Sequence, residues 1–164
     1  MLTLDIERDG GQSAPLNEAL EAAVRAALAV AGEPAEAGAA CEMSLRIVDP
    51  QTMRDLNRRY RDRDKPTNVL SFPADLPADI PFRHLGDVIV CGPVVNEEAV
   101  AQGKPVPAHW AHMLVHGTLH LLGYDHVEAS EARRMEILEA RALATLGWPC
   151  PYEAVDDTVA EALP

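Results

Sequence analysis

The sequence predicts one α/β domain of α+β character, a mixed sheet of about four strands packed with four to five helices. Two kinds of apolar spacing carry this. Segments 2–7 and 41–48 place apolar residues at every second position, as half-buried strands do, whereas 16–28, 106–122 and 128–146 repeat at helical spacing. The third observation is continuity: 164 residues, 48% of them hydrophobic, run without an internal repeat or a domain-separating linker.

The elements follow in order. Leu2, Leu4 and Ile6 alternate with Thr3, Asp5 and Glu7 in a first strand, which a Gly10-Gly11 turn ends. Pro15 then opens a helix whose apolar face is Leu16, Leu20, Val24, Ala27 and Leu28. A Gly/Pro loop at 32–40 precedes the strand CEMSLRIV (41–48). Asp49 is a helix cap with Pro50 in the first turn, and that helix runs through Met53, Leu56 and Tyr60. A proline-bounded strand is expected at 68–72, an exposed connection at 73–84 and an apolar central strand at 85–92. PVVNEEAVAQG then reads as a helix ending at Gly103, and a second runs from about Val106 to Leu122, stopped by Gly123. The last helix spans about Glu128 to Leu146, with Gly147 at its end, and an acidic tail from about 153 is expected to be mobile.

Composition narrows the function classes. Cys41, Cys91 and Cys150 are odd in number and form no CxxC pair, which argues against a disulfide framework and a cysteine-built zinc site. A reducing, cytoplasmic setting is the expectation, with no signal-peptide pattern and no membrane-length apolar run. A net charge of -12 counts against a broad surface for duplex nucleic acid. The cations are nevertheless concentrated: Arg54, Arg58, Arg59, Arg61, Arg63 and Lys65 are six of the 14 in the chain.

HGTLHLLGYDH, residues 116 to 126, is the most informative stretch. His116 and His120 share a helix face beside the stripe Trp110, Met113, Leu114, Gly117 and Leu121. Gly123 lets the chain leave the helix sharply, so that His126 can turn back toward the same point. Three such imidazoles can hold Zn²⁺ and leave a fourth position for water, the pattern of catalytic zinc. Zinc there would lower the pKa of bound water from about 15.7 toward 7 and polarise an electrophilic oxygen. Asp125 is a candidate to hydrogen-bond a ligand imidazole or to cap the next helix. His109 and His112 fall near the same side, and spacing alone leaves His112 open as a ligand. A set at 112, 116 and 120 would, however, spread its rings over about 12 Å of helix. The role of His84, next to a strand, is also open.

Gly117 stands where a zinc protease carries its catalytic glutamate. Another side chain must then act as base, or the substrate needs only activated water and a positive clamp. The second option suits a phosphodiester, whose transition state gains charge that arginine can hold.

At this point three segments resemble a known family. HGTLHLLGYDH (116–126), YRDRDKPTNVLSF (60–72) and LGDVIV (85–90) are similar, in order and spacing, to the signature regions of the YbeY family of bacterial rRNA-maturation endoribonucleases. The resemblance covers essentially the whole chain, 1–164. It implies one zinc per chain on His116, His120 and His126, and Arg61 as the cleft arginine needed for activity. It further implies a mixed sheet with the metal helix along a cleft. The activity implied is single-strand-preferring RNA cleavage at the 3′ end of 16S rRNA, with a part in small-subunit assembly and quality control. Ribosomal RNA, the small subunit and its assembly factors are the implied partners.

Read by themselves, the same residues agree. Arg61 can pair bidentately with a phosphate while Arg59, Arg63 and Lys65 steer the strand in. Tyr60 and Phe72 pack in the core or stack a base. Asn68 and Ser71 either touch substrate or hold the strand edge. Asp87, inside an apolar strand, needs a partner, whether an arginine or the metal helix. Cys91 reads as a small buried hydrophobe, and Trp110 and Trp148 as packing anchors. Two other readings compete: a metalloprotease-like hydrolase, and a non-catalytic ribosome-assembly factor with structural zinc.

Overall fold

A computed structural model describes residues 2–10, 13–32, 41–74, 83–125 and 127–152. Its sheet has four strands, β1 (Leu2–Arg8), β2 (Cys41–Val48), β3 (Val69–Pro73) and β4 (Arg83–Cys91), in the order β1-β2-β4-β3. β1 and β4 run parallel to β2, and β3 pairs antiparallel with β4. The helices are α1 (Asn17–Val30), α2 (Pro50–Arg61), α3 (Gly92–Ala101), α4 (Val106–Leu121) and α5 (Ala129–Thr145). The predicted mixed sheet with helical layers is therefore the architecture.

The alternation that predicted the strands also divides the core. Leu45, Ile47, Val88 and Val90 meet α1, α4 and α5 on one face, while Val48, Leu70, Ile89 and Cys91 meet Met53 and Leu56 of α2 on the other. Parallel neighbours need a crossover, and α1 supplies it between β1 and β2. α4 is the central helix, packed against α1, α3, α5, β3 and β4. That position explains why its sequence is apolar on nearly every side.

Several boundaries depart from the sequence reading for local reasons. Leu16, expected on the apolar face, is the cap of α1 and is 74% exposed, because it precedes the first full turn. Gly92, read as the end of a strand, begins α3. Arg83 and His84, read as connection, already belong to β4, where Leu85 and Gly86 together oppose Met43 in a bulge. Gly86 has φ 133, and a Cβ there would lie 2.2 Å from the Phe72 carbonyl oxygen, so this bend accepts only glycine. The Asp49 cap behaves as expected, accepting from the Thr52 N–H at 2.7 Å. Trp110 is buried and its Nε1–H donates to Asn96 Oδ1 at 2.7 Å. The expected tail from 153 and most of the 73–84 connection lie outside the described residues.

Candidate metal centre and RNA cleft

A cleft of about 580 Å³ runs between β3 and the C-terminal end of α4. His116 and His120 form its floor, the 68–73 strand forms one wall, and Arg61 stands at its rim. The turn after α4 returns the chain to the cleft. Gly123, at φ 99, donates its N–H to the His120 carbonyl, and Tyr124 and Asp125 then line the opposite wall. His126, the expected third ligand, lies outside the described residues.

The two described ligand candidates converge as a helical i, i+4 pair should. Their Nε2 atoms are 3.1 Å apart and their rings are nearly perpendicular, at 82°. Nitrogen ligands at about 2.0–2.1 Å from a tetrahedral zinc stand about 3.3 Å apart, so the pair matches one edge of such a shell. Two lone pairs facing each other at this distance repel, so a proton or a cation belongs between them. Among the described residues no group of three His, Cys, Asp or Glu side chains is placed to hold a metal. The pair supplies two nitrogens, and the donor chemistry fits zinc.

Behind His116 lies a carboxylate that sequence reading overlooked. Glu139 of α5 is 1% exposed and accepts from His116 Nδ1 at 2.8 Å through Oε1. Its Oε2 accepts from His112 Nε2 at 2.5 Å and from the Tyr152 hydroxyl at 2.5 Å. Burial pushes the Glu139 carboxyl up, but the hydrogen bonds and charges of His112 and His116 outweigh it and hold the group at about 2. An ionised carboxylate only accepts, so each of these nitrogens carries its proton toward Glu139. His112 Nδ1 is buried without a hydrogen-bond partner, so the polar contacts of this ring run through Nε2, to Glu139 and Tyr152. Burial and the neighbouring Glu139 push the Tyr152 phenol above its ordinary range. The signal for Glu139 was present in the sequence: it falls on the α5 stripe of Met135, Leu138 and Ala142, where a lone charge demands partners.

The remaining candidates separate clearly. Arg61 Nη2 donates to the Ser71 carbonyl at 2.9 Å, and its guanidinium carbon lies 4.9 Å from the centroid of the Phe72 ring. Arg59, Arg63 and Lys65 are exposed around the end of α2, whereas Arg54 and Arg58 are taken up by Asp64 and Asp55. Asp62 ends α2 in the left-handed conformation at φ 57, and buried Asn57 donates to the Lys65 carbonyl at 2.8 Å, fixing the cation-bearing loop. Ser71 Oγ donates to the Gly117 carbonyl at 2.9 Å, so its hydroxyl ties β3 to α4 at the cleft floor. Asn68 lines the cleft but spends its amide on Glu98 and on the Val69 N–H.

Asp87 faces the other side of the sheet, exposed, and accepts from Ser44 Oγ. It lines a separate hollow with Tyr60 and Phe72, whose rings meet edge to face at 5.3 Å. His109 is buried against Glu98 at 3.0 Å, and burial lowers its pKa. His84 stands 3.1 Å from Glu42 and does not line the cleft. Gly117 faces the sheet, where an added Cβ would meet Val88, Ser71 and Val69 at 3.0 to 3.2 Å. Position 117 thus packs α4 against β3 and β4, and a longer side chain there would have to displace these neighbours.

Comparison with known proteins places the chain in a family. The family described as Endoribonuclease YbeY matches residues 7–147. An Endoribonuclease YbeY of Halorhodospira halophila is 50% identical over 155 residues, covering 93% of this chain and 97% of that protein. Another from Cellvibrio japonicus is 56% identical over 123 residues, 75% of this chain and 68% of that one. A solution structure from Thermotoga maritima shares the fold, with a TM-score of 0.56 at 20% identity, covering 90% of this chain and 92% of that one. Among the described residues no helix is long and apolar enough to cross a membrane. By the extent of these matches and the order of its motifs, the chain belongs to the YbeY endoribonuclease family.

Proposed function

We propose that this chain is a zinc-dependent endoribonuclease that cleaves single-stranded RNA in the His116 cleft. Its physiological substrate is then the 3′ end of 16S rRNA in the maturing small ribosomal subunit, and its place of action the cytoplasm. The observation that carries this reading is the pair of Nε2 atoms 3.1 Å apart in a cleft rimmed by Arg61. His116, His120 and His126 hold one zinc per chain, which would activate water and withdraw charge from a phosphodiester.

The chain's own residues do the rest. Arg61, braced by the Ser71 carbonyl and the face of Phe72, keeps further N–H groups for a phosphate oxygen and meets the charge that grows on it. Arg59, Arg63 and Lys65 draw the RNA backbone toward the rim. Single strands fit better than duplex, because these four cations cluster at one end of α2 in a molecule of net charge -12. A peptidase reading is disfavoured by Gly117, whose Cβ direction points into β3 and β4.

The test pairs metal analysis with RNA cleavage for wild type, His116→Ala and Arg61→Ala. One zinc per wild-type chain, lost zinc and cleavage in His116→Ala, and retained zinc without cleavage in Arg61→Ala are the expected results. Zinc without cleavage by wild type, on naked RNA and on small-subunit precursors alike, would leave a non-catalytic assembly role instead.

A further inference from the structure

We propose that Glu139 is the positioning residue of the histidine centre, fixing the tautomer and rotation of His116 so that Nε2 faces the cleft, and that Tyr152 locks Glu139 in place. This inference rests on the reading of the His116 cleft as a zinc site.

Geometry carries it. Glu139 gives one oxygen to His116 Nδ1 and the other to His112 Nε2 and the Tyr152 hydroxyl, so neither oxygen can turn away without breaking a buried bond. With Nδ1–H directed at a carboxylate, His116 keeps its lone pair on Nε2, the atom 3.1 Å from His120 Nε2. The arrangement is that of a carboxylate–histidine pair behind a metal ligand, which orients the ring and raises its basicity.

A purely packing role explains Glu139 poorly. The neighbours Met135, Leu138 and Ala142 are apolar, and a hydrophobe of similar size would fill the site without desolvating a charge. His112, one turn before His116, finds its part here: its Nε2 faces Glu139 and Tyr152 instead of the cleft. Tyr152 lies beyond α5, so the stretch from 146 to 152 is a working part of the centre.

The experiment uses the full chain, stripped of metal, as wild type, Glu139→Gln and Tyr152→Phe, with Asp49→Ala as a variant destabilised far from the centre. Zinc affinity is measured by competition with a chromophoric chelator, and the His116 tautomer by nitrogen NMR of the metal-free protein. Glu139→Gln should lose roughly 10–100-fold in zinc affinity while still folded, Tyr152→Phe should lose less, and Asp49→Ala should bind as wild type does. Metal-free wild type should show His116 as the Nδ1–H form, with Glu139→Gln showing a mixture.

Unchanged zinc affinity in folded Glu139→Gln, or an Nε2–H form of His116 in wild type, overturns the proposal. If Glu139→Gln does not fold, Tyr152→Phe and the wild-type tautomer decide it. A wild type that binds no zinc defeats the functional reading, while the tautomer still reports on Glu139.

Discussion

A side chain at position 117 would crowd its neighbours. A Cβ there would stand 3.0 Å from Val88 Cγ1, so Gly117→Ala should cost about 1–3 kcal/mol, read as a lower denaturant midpoint. Nearby, Arg61→Lys should reduce RNA cleavage almost as far as Arg61→Ala, because an ammonium cannot hold the Ser71 carbonyl and a phosphate in the same planar fork. Retention of near-wild-type turnover by the lysine variant would count against the clamp. Glu139 adds a pH signature to the metal-free protein. Its folded value of about 2 lies below the ordinary 4.5, so its stabilisation is complete above 4.5 and disappears as pH falls from there toward 2. The contribution is on the order of 3 kcal/mol, and acid titration of the denaturant midpoint should show it in wild type but not in Glu139→Gln.

At the level of elements, β3 determines how α4 meets the cleft. The Ser71 hydroxyl on the Gly117 carbonyl is one of the side-chain ties between them, and Ser71→Ala should lower stability by about 1 kcal/mol in chemical denaturation. The elements themselves were legible because their apolar spacing was regular: Leu45 and Ile47 in β2, and Leu20, Val24 and Leu28 in α1, fall on the faces their spacing requires. The His116–His120 pair was legible for the same reason, being one turn apart. Glu139 was not, because its significance depends on α5 crossing behind α4, a contact with no short-range trace beyond one charge on an apolar stripe. Asp87 shows the reverse difficulty: strand alternation puts it across the sheet from Val88, away from the histidines, but a motif read as a string conceals which face each letter takes.

For the whole molecule, charge is segregated. The chain carries -12 overall, yet Arg59, Arg61, Arg63 and Lys65 gather at one end of α2. Four phosphate contacts to single-stranded RNA predict a log affinity that falls with log salt at a slope of about -3. A slope corresponding to eight or more charges would mean that RNA follows a surface other than this loop.

The central place of α4 has one more consequence. The helix that carries His116 and His120 also fills the middle of the core, so among the described residues the site and the core share one element. Loss of helical signal and loss of cleavage should therefore coincide in a single cooperative transition, and amide protons of α4 should be among the last to exchange.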